Sequence, residues 1–111
     1  MDNYIYADEA VNRKKLEEAL DEIMDNFDFE KVANIMNYLG WKWASVDTED
    51  NIPTEDDIRE HAAKLLWDVC NDPENNIHAT GGFEAEKDFS DPNKPFVSLR
   101  FILESYDGGE F

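Results

Sequence analysis

Basic residues and cysteine are scarce in this chain of 111 residues, which has 10 Lys and Arg against 27 Asp and Glu. The formal net charge is −17, and a field of that sign repels DNA, RNA and anionic membranes. The single cysteine, Cys70, excludes an internal disulfide and favours a reducing compartment. Long apolar runs and a secretory leader pattern are also missing. We therefore expect a cytoplasmic protein that binds neither nucleic acid nor membranes directly.

Apolar residues are abundant despite this charge. They make up 41% of the chain, and aromatic residues 13%, so the chain can bury a core and offset the entropy cost of folding. The length suits one domain. We expect a single domain over residues 1–111, with an N-terminal acidic helix (1–27), an α/β core (28–105) and a flexible tail (106–111).

Helical periodicity predicts two helices in the first part of the chain. The first covers residues 8–27 and has an apolar stripe opposite an acidic face. In the second helix, Asp28 is the predicted N-cap, and Gly40 is predicted to end the helix in a left-handed conformation. The short junction between them indicates either a sharp corner or a kink.

A third helix is predicted from about Glu55 to Asn71. Thr54 and Asp57 match the capping-box pattern, and acidic residues in the first turn interact favourably with the helix dipole. The core-facing side is expected to hold Ile58, Ala62, Leu65, Leu66 and Val69.

Three strands complete the predicted fold, at residues 41–46, 77–86 and 96–106. The last two form an antiparallel hairpin around a polar loop, and the second of them is expected to place Val97, Leu99, Phe101 and Leu103 on one face. Thr80–Phe83, with two glycines, is interpreted as a bulge or a close backbone approach. The fold class is α+β, a three-stranded antiparallel sheet packed by helices, in the order helix, helix, strand, helix, strand, strand.

Known catalytic and metal-binding motifs do not appear. Counted from Asp47, an EF-hand loop would need Gly and Glu where Ile52 and Ile58 stand. His61 and His78 have no neighbouring ligand at zinc spacing. Cys70 has no basic neighbour in the sequence that would make it a nucleophile. We expect no enzymatic activity, catalytic residue, metal or cofactor.

Acidic residues recur in patterns that do not help folding. The segment 46–57 has six acids and no Lys or Arg. In the first helix, Glu17, Asp21 and Asp25 follow one another at intervals of four residues, and each like-charged pair costs a few tenths of a kcal/mol. Carboxylates about 6 Å apart along a helix approach the spacing of backbone phosphates. Such a surface fits a basic groove that binds DNA.

The segments LGWKWASV, IPTEDDIREHAAKLL, TGGFEAE and VSLRFILES, in this order, resemble a family of short phage and prophage proteins. The resemblance covers residues 29–105, and its motifs are the Trp-x-Trp pair, the Pro-Thr step before the third helix and Thr-Gly-Gly-Phe. It implies a bacterial host cell and supplies no catalytic residue. In size and charge the chain is also similar to acidic anti-CRISPR and anti-restriction proteins, many of which imitate nucleic acid.

The leading hypothesis is that the chain is a phage-encoded inhibitor of a host defence nuclease, with a CRISPR effector as the first candidate. The inhibitor would block the DNA-binding channel of the nuclease with carboxylates. The partner is thus a host nucleic-acid-binding protein, met by a monomer or small homo-oligomer. The predicted partner-binding residues are Asp21, Glu22, Asp25, Asp47, Glu49, Asp50, Glu55 and Asp56. The alternative is a phage accessory protein that binds a host or phage protein through an aromatic patch, with acidity serving solubility alone.

Overall fold

The fold is known from a computed structural model that describes residues 11–40 and 53–102. These residues form an α+β fold with three helices and a three-stranded antiparallel sheet, which confirms the predicted fold class. The helices are α1 (Arg13–Asn26), α2 (Phe29–Leu39) and α3 (Glu55–Asn71). The strands are β1 (Ile77–Thr80), β2 (Phe83–Asp88) and β3 (Phe96–Phe101), in the spatial order β1-β2-β3.

Capping residues define the helix boundaries. The side chain of Asn12 accepts a hydrogen bond from the Lys15 backbone N–H, so α1 begins at Arg13 and the predicted start at residue 8 is wrong. Asp28 caps α2 in the same way, and Gly40 ends it with φ of 66°, as predicted. The backbone leaves the helical region between α1 and α2, so their junction is a corner.

The capping box of α3 is also confirmed. The Thr54 hydroxyl accepts from the Asp57 N–H, and the Asp57 carboxylate accepts from the Thr54 N–H at 2.9 Å. The predicted bounds of this helix, Glu55–Asn71, agree with the structure. Its five predicted core residues, Ile58, Ala62, Leu65, Leu66 and Val69, are all buried.

The described strands differ from the predicted strands in their bounds and in their order along the chain. Residues 77–86 form two strands, β1 and part of β2, because Gly81 and Gly82 both have positive φ, 58° and 84°. A two-residue turn of this kind matches the twist of a tight hairpin, so the interpretation of Thr80–Phe83 as a bulge is wrong. Described elements therefore run helix, helix, helix, strand, strand, strand. The predicted strand at 41–46 lies outside the described residues.

One hydrophobic core joins helices and sheet. α3 packs against all three strands, α1 against β3 and α3, and α2 against α3. Alternation along β3 places Val97, Leu99 and Phe101 on the core side, as predicted. The predicted hairpin between β2 and β3 is confirmed, with Ala85 opposite Leu99. Leu103 lies outside the described residues.

Candidate acidic binding surface

The acidic side chains of α1 form a continuous exposed stripe. Leu16 and Leu20 are buried at 0% and 8% exposure, and they orient the opposite side of the helix to solvent. The residues exposed on that side include Glu17, Glu18, Asp21, Glu22 and Asp25. In residues 11–40 and 53–102, no Lys or Arg forms an ion pair with any of the five. We call these five residues the α1 stripe.

The order of charges along α1 opposes the helix dipole. Its first turn holds Arg13, Lys14 and Lys15 and no acid, and its last turn holds no base. A helix favours the reverse order, because its N-terminus carries partial positive charge and its C-terminus partial negative charge. The stripe therefore contributes repulsion to α1, and folding does not account for it.

The predicted site residues at the start of α3 have a different environment. The Glu55 carboxylate accepts hydrogen bonds from Arg59 at 3.1 and 3.2 Å, so its charge is neutralised locally. Asp56 is exposed in the first turn, where the dipole favours it. Asp47, Glu49 and Asp50 lie outside the described residues.

Aromatic side chains bring the end of α1 close to the start of α3. The Phe27 ring lies 4.9 Å from the Phe29 ring, measured between centroids, and the Arg59 guanidinium lies 4.8 Å from the centroid of Phe29. Asp25 precedes Phe27 by two residues, and Arg59 is the ion-pair partner of Glu55. The structure thus places Arg59 between Glu55 and the aromatic contact that follows the end of α1.

A second polar cluster, at the C-terminal end of α3, is absent from the sequence-based site. The Asp72 carboxylate accepts from the backbone N–H groups of Asn75 and Glu74 and contacts His78 Nε2 at 2.9 Å. These hydrogen bonds, the one from Asn75 first, hold the pKa of Asp72 well below its usual range. Lys87 Nζ donates to the Asp72 carbonyl oxygen.

Lys87 is buried at 7% exposure on the core side of β2, together with Phe83 and Ala85. The strict alternation of Phe-Glu-Ala-Glu-Lys-Asp indicates this position once β2 is known to begin at Phe83. Burial raises the pKa of the Cys70 thiol to about 11, and the nearby Lys87 charge opposes that only in part. The thiol therefore stays protonated at neutral pH, which disfavours a nucleophilic role for it.

Metal binding has no clear basis in the part of the chain that the structure describes. No group of three or more His, Cys, Asp or Glu residues there is arranged to hold an ion. In the same part, no helix is long and apolar enough to cross a membrane.

Comparison of the chain with protein-family models, curated protein sequences and solved structures finds no match. The resemblance to phage proteins stays a prediction.

Proposed function

We propose that this protein is an inhibitor that binds the cationic, nucleic-acid-binding groove of another protein through the α1 stripe. The observation that carries this proposal is the exposure of five carboxylates, none of them in an ion pair with a described cation, on a helix that has no acid in its first turn and no base in its last. Arg and Lys side chains of such a groove bind phosphates, and carboxylates satisfy the same donors. Occupancy of the groove then competes directly with nucleic acid.

The target class that we propose is a host defence nuclease, with a guide-loaded CRISPR effector as the first candidate. An effector of this class holds nucleic acid in a long, positively charged channel. The large negative charge of the chain also steers it toward such a channel and speeds association at low ionic strength.

The test is target-DNA binding by a guide-loaded effector, followed by gel shift while the protein is titrated in. We expect the shift to disappear and inhibition to weaken steeply between about 0.05 and 0.2 M salt, because released counterions dominate such contacts. A triple variant, Asp21→Lys with Glu22→Lys and Asp25→Lys, is expected to inhibit at least about 100-fold less, given roughly 1 kcal/mol or more for each reversed charge.

A matched control variant carries three reversals outside the α1 stripe: Glu60→Lys, Glu74→Lys and Asp91→Lys. All three residues are exposed, so the net charge changes by the same amount as in the α1 variant. Inhibition that falls equally in both variants would mean that only total charge matters. If the protein leaves the gel shift of the target DNA unchanged with several effector types, this target class is excluded.

Exposed aromatic residues favour the alternative function, binding of a protein through an aromatic patch. Tyr38 on α2 is 87% exposed, and Phe96 on β3 is 49% exposed. Binding through such residues depends weakly on salt, and Tyr38→Ala would reduce it while the α1 variant would not. Trp67 on α3 is 38% exposed, and Trp41 and Trp43 lie outside the described residues.

A further inference from the structure

Among the described strands, β1 is an edge of the sheet, on the side away from β3 and α1. The Lys87 N–H donates to the Asn76 carbonyl at 2.8 Å, and antiparallel ladder bonds then recur at every second residue. His78 and Thr80 therefore direct their backbone groups toward β2, whereas Ile77 and Ala79 direct theirs outward. No described residue bonds to the N–H or C=O of Ile77 or Ala79. The edge offers the donors and acceptors that another strand needs.

The composition of β1 does not protect this edge. Natural edge strands usually carry a charge or a proline that discourages pairing, and Ile-His-Ala-Thr has no Lys, Arg, acid or proline. The rest of the chain is rich in charge, with 33% charged residues. Ile77 is 53% exposed, and Ala79 is exposed beside it. An apolar, uncharged edge is thus kept in a highly charged protein.

The charge next to this edge indicates what binds there. Glu84 lies opposite Ala79 and is paired with Arg100, but Glu86, opposite Ile77, has no cationic partner among the described residues. Strands lie about 4.8 Å apart, so a Lys or Arg on a strand added to β1 would be about 10 Å from Glu86 across the sheet, within reach of two long side chains. A second copy of the chain would bring another charge of −17, which disfavours its approach to Glu86.

We propose that the β1 edge binds an extended, basic segment of another protein, which pairs with Ile77 and Ala79 and places a Lys or Arg near Glu86. Backbone hydrogen bonds would supply affinity, and the alternating apolar and basic side chains would supply selectivity. This site lies at the opposite edge of the sheet from the α1 stripe, and it does not depend on the function proposed for that stripe.

The test uses the full chain and two synthetic peptides, one with valine and lysine in alternation and the other with valine and glutamate. Amide hydrogen exchange of Ile77 and Ala79 is measured by NMR with each peptide. We expect the lysine peptide to slow exchange of both amides about tenfold, as new backbone hydrogen bonds protect them, and the glutamate peptide to have no effect.

Two variants localise the binding. Ala79→Pro removes the outward N–H while the bonds between β1 and β2 stay intact, and it is expected to weaken peptide binding about tenfold, whereas the control Ala79→Val is expected to bind normally. Glu86→Gln is expected to weaken binding about threefold or more and to reduce its salt dependence. If Ala79→Pro does not fold, the exchange data and Glu86→Gln decide.

Three results would overturn the proposal: equal protection by the glutamate peptide, equal binding to the Ala79→Pro variant in its folded form, or no protection by either peptide. Concentration-dependent dimers that Ala79→Pro disperses would also overturn it, because a second copy would then occupy the edge. If the Ala79→Pro or Glu86→Gln variant loses peptide binding but still inhibits the nuclease, the β1 edge and the α1 stripe act separately.

Discussion

Helices α1 and α3 are both rich in acids, but the acids stand at opposite ends of the two helices. In α3 they occupy the first turn, where Asp57 completes a capping box and the dipole favours negative charge. In α1 the first turn is basic, and the acids run from Glu17 to Asp25 toward the C-terminus. The same residue type therefore stabilises one helix and destabilises the other, and only in α1 does the charge need an explanation outside folding.

The largest effect is expected from loss of the α3 cap. Thr54→Ala removes the hydroxyl that accepts from the Asp57 N–H, and it should lower the free energy of unfolding by about 1–2 kcal/mol. Urea denaturation followed by circular dichroism measures this change. Thr54→Ser keeps the hydroxyl and serves as the control. A loss below about 0.3 kcal/mol would mean that the Thr54 cap does not stabilise α3.

Charge reversal in α1 should have the opposite sign. The triple variant of Asp21, Glu22 and Asp25 to Lys creates attraction to Glu17 and Glu18 and places cations near the helix C-terminus, so unfolding should cost about 1 kcal/mol more. The same denaturation experiment applies. A destabilised variant would show that the α1 stripe takes part in folding after all, and its loss of inhibition would then have a second explanation.

Salt should produce a smaller change with the same cause. Screening weakens the repulsion within the α1 stripe, so added NaCl up to about 0.5 M should stabilise the protein by a few tenths of a kcal/mol. The triple variant should respond less, because much of its repulsion is already removed. An equal response of both proteins would assign the effect to the charge of the whole chain.

The last effect depends on pH and is expected at the far end of α3, where Asp72 is an acid near a helix C-terminus. Its backbone hydrogen bonds lower its folded-state pKa, so its contribution to stability is present above the unfolded pKa of about 4 and is lost as the pH falls below that value. Asp72→Asn should be less stable than the native protein at pH 7. The difference should shrink as acid is added, and a constant difference would contradict this account.

The parts of the fold that the sequence predicts well are those set by local interactions. The caps at Asp28 and Gly40 and the capping box of Thr54 act within four residues of chain, so the composition of a short segment is sufficient to place them. The predicted start of α1 is too early because Ala7, Asp8, Glu9 and Ala10 have a helical composition, whereas the Asn12 side chain caps the helix further along the chain. The segment Thr80–Phe83 is predicted as a bulge or a close backbone approach, but its two glycines have positive φ angles and form a tight turn.

The candidate site could be predicted only in part. Exposure of Asp21, Glu22 and Asp25 follows from the period of the apolar stripe on the same helix. The pairing of Glu55 with Arg59 is also local, at a spacing of four residues, yet its position against Phe29 depends on how α2 packs on α3. Contacts of that kind join residues far apart in the chain, and no pattern within one helix predicts them.

By itself, the sequence determined the strong negative charge, the α+β class, the helix caps and the side of α1 that faces solvent, because each depends on composition or on spacing within one element. The tertiary structure decided which charges are compensated and which are not. It buried Lys87 next to the Asp72 carbonyl, placed Arg59 between Glu55 and the Phe29 ring, and left β1 at an edge of the described sheet. The physical reason is that ion pairs, burial and strand order depend on distances across the fold, which spacing along the chain does not specify.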